Sequence, residues 1–301
     1  MVKLKSTMIK TASRKSILDW RRLHGKDSPG ITKCGKKTFR WGERTFVMGV
    51  INMSPDSFSG DGLDNLETAL QQARNFIAEG VDMLDIGGES TRPNSNPISI
   101  REEIDRILPV LIRLAGKVEV PLSVDTYKIE VARACLDAGA DMINDIWGLQ
   151  YEPELARLVA ERKVPIILMS NQRNKPERHI IPAVIADLKR AIDTALDAGI
   201  AWEDIIIDPG IGFGKKLDQN YELIRRLNEL KILGRPVLLG TSRKSMIGLT
   251  LDLPENDRLE GTAATNAIGI FQGADIIRVH DVHEMIRIAR MSDAITGRRE
   301  K

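Results

Sequence analysis

Three consecutive isoleucines, Ile205 to Ile207, run into Asp208 and then into Pro209-Gly210-Ile211-Gly212-Phe213-Gly214-Lys215. A β-branched run of this kind predicts a strand buried on both faces, and the Gly/Pro-rich stretch behind it predicts a turn. A buried strand that ends in an acid presents that acid to something. Taken alone, Asp208 reads equally well as a cap for the Pro-Gly turn. The pattern recurs, however, with polar residues closing other short apolar runs: Asn52, Asp85 with Glu89, Asp125, Asn144, Ser242 to Lys244, and Arg278 with His280. Capping explains any one of these positions and struggles to explain the set.

The set divides into two chemistries. Asp125, Asn144, Asp208 and Lys244 offer acceptors and donors suited to a flat, nitrogen-rich heterocycle, because a carboxylate pairs with an N–H/NH2 edge and a lysine serves a carbonyl or ring nitrogen. Asn52, Arg278 and His280 suit an anion. An arginine beside a histidine, with a side-chain carbonyl that helps hold Mg2+, fits a phosphorylated leaving group.

These residues must be brought to one place, and the chain repeats a unit that does so. A short apolar strand, a polar or Gly-rich loop and an amphipathic helix follow one another eight times. The strands are expected at 46–51, 83–86, 122–125, 142–145, 165–169, 205–208, 237–240 and 276–279, and the helices at 66–79, 101–114, 129–138, 154–162, 183–198, 217–230, 258–272 and 282–292. Ser99 followed by Glu102 signals a helix start, while Gly80, Gly139 and Gly199 signal helix ends. Ala138-Gly139-Ala140-Asp141 and Gln272-Gly273-Ala274-Asp275 are one helix-to-strand junction used twice. Eight alternating units imply a parallel sheet closed into a (β/α)8 TIM barrel, whose chemistry sits at the C-terminal ends of the strands.

Upstream, residues 38–46 read as a short leading hairpin around Gly42, and residues 1–35 as a mobile basic arm without sustained periodicity. The expected division is therefore the arm, 1–35, and one barrel domain, 36–301. Removing the arm is expected to leave stability unchanged.

Composition narrows the function classes. The longest apolar runs fall short of the roughly 18 residues of a membrane span, which argues against a membrane protein. Residues 1–44 hold 13 Lys/Arg against 3 Asp/Glu, so the rest holds 31 against 39 and the net +2 conceals a mildly acidic body. That balance argues against a nucleic-acid partner. The arm lacks the apolar core of a signal peptide, which points to a cytoplasmic protein. Cys34 and Cys135 have no metal-ligand spacing, and four scattered histidines do not make a zinc site.

Eight segments resemble one family, dihydropteroate synthase: NMSPDSFSGDG (52–62), DIGGESTRP (85–93), SVDTYK (123–128), INDI (143–146), DPGIGFGK (208–215), GTSRKS (240–245), EGTAA (260–264) and RVHDV (278–282). Singly these are weak signals; in this order they are specific. The resemblance implies condensation of 6-hydroxymethyl-7,8-dihydropterin pyrophosphate with p-aminobenzoate in folate biosynthesis, by dissociative substitution. It further implies that Asp125, Asn144, Asp208 and Lys244 bind the pterin and that Asn52, Arg278 and His280 hold pyrophosphate, with Asn52 on Mg2+. Thr91, Arg92, Pro93, Phe213 and Ser245 would shape the p-aminobenzoate site. Asp56, Phe58 and Asp61 would belong to a mobile first loop, and Lys244, Asp208, Arg92 and Asp61 would form the catalytic set. A homodimer is expected on the same ground.

The chain departs from the family pattern after the fifth strand, where Met169-Ser170-Asn171 stands for Met-His, and in the first loop, where Ser54 replaces Thr. Two rival readings share the barrel. A pterin-dependent methyltransferase serving a corrinoid protein would keep Asp125, Asn144 and Asp208 but needs neither Thr91-Arg92-Pro93 nor Ser242-Arg243-Lys244. A non-catalytic pterin-binding paralogue has Ser170 as its support.

Overall fold

The structure, a computed structural model, describes residues 30–54, 62–90, 96–173 and 179–298. A two-stranded antiparallel hairpin, β1 (Ile31–Cys34) and β2 (Lys37–Arg40), precedes the barrel. The barrel strands are β3 (Phe46–Asn52), β4 (Met83–Gly87), β5 (Leu122–Asp125), β6 (Met142–Asp145), β7 (Ile166–Met169), β8 (Ile205–Asp208), β9 (Leu238–Leu239) and β10 (Ile276–Val279). All are parallel, each beside its sequence neighbour, and β10 pairs with β3. A parallel bridge between Ile207 and Val237 links β8 to β9 and completes the circuit.

Alternation along the strands sorts the side chains. Outward-facing Leu84, Ile86, Val124, Ile143, Ile205, Ile207 and Ile277 are buried beneath the helices. Inward-facing Met48, Met83, Met142, Ile167, Ile206, Leu238 and Ile276 form a separate apolar layer. Two residues further along the strands, the inward positions turn polar: Asp85 follows Met83, Asn144 follows Met142, Asp208 follows Ile206, and Arg278 follows Ile276. The barrel interior is thus apolar below and polar at the C-terminal mouth.

Cys34, Phe39, Trp41 and Phe46 join that lower layer, so the hairpin plugs the N-terminal end of the barrel. Phe39 and Trp41 stack with centroids 5.6 Å apart, and both meet Phe46 edge-on at 5.0 and 5.4 Å. Trp41 Nε1 donates to Thr32 Oγ1 at 2.9 Å, which satisfies the buried indole. This corrects the sequence reading in two ways. The hairpin turns at Gly35, with φ +53°, not at Gly42, and Ile31–Cys34 belongs to the barrel domain, not to the arm. The alternation of Ile-Thr-Lys-Cys is present in the sequence, but four residues with a lysine among them carry too weak a period to stand out. The rest of the arm, 1–29, lies outside the described residues.

Nine helices pack around the described barrel: α1 (Gly62–Glu79), α2 (Ile100–Leu114), α3 (Ile129–Asp137), α4 (Leu155–Arg162), α5 (Ile180–Asp197), α6 (Leu217–Arg225), α7 (Ser245–Leu251), α8 (Leu259–Phe271) and α9 (Val282–Thr296). Ser99 caps α2 by accepting from the Glu102 amide at 3.2 Å. Helix α5 begins ahead of Pro182, because proline in a first turn forfeits no intrahelical bond. The expected helix at 217–230 breaks at Arg226 into a 3-10 turn, Leu227–Leu233. The unexpected α7 is short and carries Gly248, where a Cβ would come within 2.2 Å of the Arg258 guanidinium.

The repeated helix-to-strand junction has a physical purpose. Asp82, Asp141 and Asp275 each accept a backbone N–H at the start of the neighbouring strand, from Val47, Leu122 and Val237 at 2.8 to 3.0 Å. Each carboxylate pins two strands together at the barrel base.

Phe39→Ala empties the middle of the hairpin plug and is expected to cost about 3–5 kcal/mol. Urea unfolding checks this. An unchanged midpoint would mean that the hairpin contributes nothing to the core.

Candidate active site

Asn52, Gly87, Asp125 and Asn144 are paired in register across four neighbouring strands, so the sheet itself aligns them at one mouth. Met169 and Asp208 pair on the far side. Arg278, from β10, reaches across the interior: Nε donates to Asp85 Oδ2 at 2.6 Å and Nη2 to Asp125 Oδ2 at 2.9 Å. Nη1 makes no hydrogen bond among the described residues. Asn144 Nδ2 donates to the same Asp85 oxygen at 3.0 Å. Residues assigned from sequence to a heterocycle half and an anion half therefore form one connected cluster.

Burial sets the electrostatics. Desolvation lifts the Asp125 carboxyl to about 7, against the downward pull of Arg278. Asp208 is raised for the same reason, opposed first by Lys244. Its Oδ1 accepts the Gly210 amide at 2.7 Å, so Asp208 also caps the turn. Burial lowers Lys244 to about 8 and Lys215 to about 7, while Asp208 opposes both changes. For Arg278 burial works downward, but Asp85 and Asp125 outweigh it and hold the guanidinium above its ordinary value.

The Gly-rich loop after β8 is built to carry Phe213. Asn220 accepts the Gly212 amide at 2.8 Å and donates to the Lys215 and Lys216 carbonyls. Lys215 Nζ gathers the carbonyls of Ser170, Gly210 and Phe213 at 2.8, 2.8 and 3.2 Å, tying the loop to the end of β7. Lys244 Nζ lies 4.8 Å from the Phe213 ring centroid and the Arg173 guanidinium 4.9 Å, so one aromatic ring carries two cations. Lys244 Nζ also donates to the Ile211 carbonyl at 2.5 Å, and Ser245 opens α7 beside it as an exposed residue. His280 meets Ser242 twice, through its amide at 3.2 Å and through Nδ1 at 3.0 Å. Asn52 Oδ1 accepts the Ser54 amide at 3.0 Å.

A second polar cluster anchors the loop after β4. Buried Lys128 donates to Glu89 and Glu103, both at 2.6 Å, and to the Ile98 carbonyl at 2.7 Å; Tyr127 donates to Glu89 at 3.0 Å. Thr91, Arg92 and Pro93, carried on that loop, lie outside the described residues, as do Asp56, Phe58 and Asp61.

A family model described as pterin binding enzyme matches residues 48–280. A dihydropteroate synthase of Clostridium beijerinckii is 47% identical over 88% of this chain and all of its own length; that of Bacillus subtilis is 44% identical over 91% and 97%. The chain belongs to the dihydropteroate synthase family. Among solved structures, a Xanthomonas albilineans dihydropteroate synthase with 4-aminobenzoic acid superposes with a TM-score of 0.83, at 39% identity over 89% of this chain and 98% of that one. A clostridial dihydropteroate synthase determined in the presence of pteroic acid also scores 0.83, at 45% identity over 85% and 98%.

Within the dihydropteroate synthase frame, Ser170 no longer looks like a vacancy left by an imidazole. It is fully buried, its hydroxyl donates to Asp187 of α5 at 3.2 Å, and Gln172 donates to both. Reading the sequence did not single out Asp187, Gln172, Arg173 or Asn220. An acid on the buried face of α5 was the available signal for Asp187, since a buried acid requires partners.

Gly210 and Gly212 both have positive φ, +70° and +81°, but a Cβ at 210 would lie 2.2 Å from the Ser170 carbonyl, while one at 212 meets Lys244 only at 3.4 Å. Gly212→Ala should therefore cost about 1–2 kcal/mol of left-handed strain, and Gly210→Ala clearly more. Denaturation of the two variants side by side checks the order, and equal losses would contradict the close packing of the loop.

Proposed function

We propose that this barrel condenses 6-hydroxymethyl-7,8-dihydropterin pyrophosphate with p-aminobenzoate to give 7,8-dihydropteroate and pyrophosphate. The observation that carries the reading is the convergence of Asp125, Asn144, Asp208, Lys244 and Arg278 on one mouth. Asp208, Asn144 and Asp125 accept from the pterin N–H groups, and Lys244 donates to its carbonyl or ring nitrogen. Arg278, His280 and Asn52 hold the pyrophosphate. Phe213 and Ser245, with Thr91, Arg92 and Pro93, receive p-aminobenzoate; Arg92 and Asp61 complete the catalytic set carried over from the family.

Bond breaking precedes bond making in this scheme. Cationic groups around the pyrophosphate stabilise its departing charge, and the pterin ring delocalises the positive charge left on its methylene carbon. The weakly basic aniline nitrogen then attacks that carbon and loses its proton, so no covalent enzyme intermediate is needed. Mg2+ fits one position. Asn52 keeps a second carbonyl lone pair beyond its bond to Ser54, and among the described residues no group of three His, Cys, Asp or Glu forms a closed metal cage. An ion completed by waters and phosphate oxygens suits such a site. When bound it would neutralise leaving-group charge.

A second copy of the chain is the proposed partner, in keeping with the homodimer implied by the family, and the cytoplasm the proposed location. Exposed Leu249, Ile268, Phe271, Met291 and Ile295 line α7, α8 and α9, and α8 packs on both of the others. Phe271→Glu should convert the dimer to monomer in sedimentation equilibrium; a wild-type protein that is already monomeric would refute the pairing.

Purified protein mixed with both substrates and Mg2+ should release pyrophosphate and form 7,8-dihydropteroate. Asp208→Asn should weaken pterin binding by about 1–3 kcal/mol, because an amide faces a donor towards the pterin N–H groups. Absence of pyrophosphate release from the wild-type protein would overturn the assignment.

A further inference from the structure

Asp85 has no contact with either substrate in the scheme above, yet it touches a residue from each half of the mouth. It is completely buried, and its Oδ2 alone accepts both Asn144 Nδ2, at 3.0 Å, and Arg278 Nε, at 2.6 Å. Its Oδ1 is buried and makes no hydrogen bond among the described residues. A carboxylate accepts and never donates when ionised, so the Asn144 amide must turn its NH2 towards Asp85 and its carbonyl oxygen away. That single bond decides whether Asn144 meets a ligand as an acceptor or a donor. Arg278 is fixed by the same oxygen, and its other engaged nitrogen holds Asp125.

We propose that Asp85 is a positioning residue that locks Asn144 as a hydrogen-bond acceptor for the pterin and, through Arg278, sets the geometry of the pyrophosphate half of the same mouth. The inference rests on the functional reading above. Asp85 works through two other side chains and touches neither substrate. The joint spans three strands, β4, β6 and β10, whose contributing residues lie 59 and 193 positions apart in the chain. Its bare Oδ1 fits this role, since an oxygen with no hydrogen of its own cannot release the Asn144 amide by donating to it. Substitution by asparagine supplies that missing donor: the new amide can face its NH2 to Asn144, which is then free to rotate and present its own NH2 to the mouth.

The test is a double-mutant cycle read by calorimetry, with 6-hydroxymethyl-7,8-dihydropterin and Mg2+-pyrophosphate as separate probes. Asp85→Asn should weaken pterin at least tenfold and pyrophosphate at least tenfold, with the KM for p-aminobenzoate within twofold of wild type. In an Asn144→Ala background the same change should weaken pterin by less than threefold, and in an Arg278→Ala background it should weaken pyrophosphate by less than threefold. Additive losses would show that Asp85 acts on the fold at large and would overturn the proposal.

A measurement on the unmutated side chain at 85 covers the case in which Asp85→Asn does not fold. The Asn144 side-chain amide, assigned by its disappearance in Asn144→Ser, should exchange with solvent far more slowly than exposed asparagines in 15N spectra, with and without pterin. Exchange as fast as at exposed positions would also overturn the proposal. A wild-type protein that binds no pterin at all would sink the functional reading, and this inference with it, whereas pterin binding with an additive cycle would sink this inference alone.

Discussion

Asp85 cannot remain an anion inside a barrel without a cation against it, and Arg278 is that cation. The guanidinium divides itself between Asp85 and Asp125, so two buried acids share one positive charge; burial pushes Asp125 towards neutrality, Arg278 pulls against it, and the neighbouring Asp85 adds to the push. Much of the mouth follows from this arrangement. The orientation of Asn144, the acceptor strength of Asp125 and the direction of Arg278 are linked through one carboxylate oxygen. Separate recognition of a heterocycle and an anion, which the residue types suggest, becomes a single electrostatic unit once the strands close.

The same economy of charge governs the opposite wall. Lys215 spends its three protons on three carbonyls, which holds the Gly-rich loop against the end of β7 and leaves Lys244 as the lysine beside the Phe213 ring and the Asp208 carboxylate. Ser170, where the family resemblance leads one to expect an imidazole, joins that wall through its backbone, its amide donating to the Asp208 carbonyl at 3.0 Å and its carbonyl accepting from Lys215, and turns its hydroxyl towards Asp187 on the outer helix. The departure is thus absorbed by a buried polar pair behind the strand. It leaves the carboxylate, amide and lysine set of the mouth intact.

At the other end of the barrel the constraint is apolar. A closed sheet needs its interior filled, and the lower layer of Met and Ile side chains leaves the N-terminal opening to be sealed by Phe39, Trp41 and Phe46. The hairpin that supplies two of these rings precedes the first barrel strand, and its own first strand, Ile31–Cys34, comes from chain that looks, by composition, like part of a solvated arm.

Local pattern determined a great deal by itself. The strand and helix periods of the eight repeats, the Gly-Ala-Asp junction used twice and the polar residues that close many of the strands are legible because a strand alternates every second residue and a barrel exposes its strand ends at one mouth. Asn52, Asp125, Asn144, Asp208, Lys244 and Arg278 were identifiable on those grounds. Only the tertiary structure decided which of them touch. Asp85 and Arg278 are 193 residues apart, and their contact depends on closure of the barrel and on the stagger of its strands, which no local period encodes. The first strand of the hairpin, the short helix α7 and the Ser170–Asp187 pair were hidden for a related reason. Each is too short or too isolated to build a period, and each is stabilised by partners that reach it only after the chain has folded.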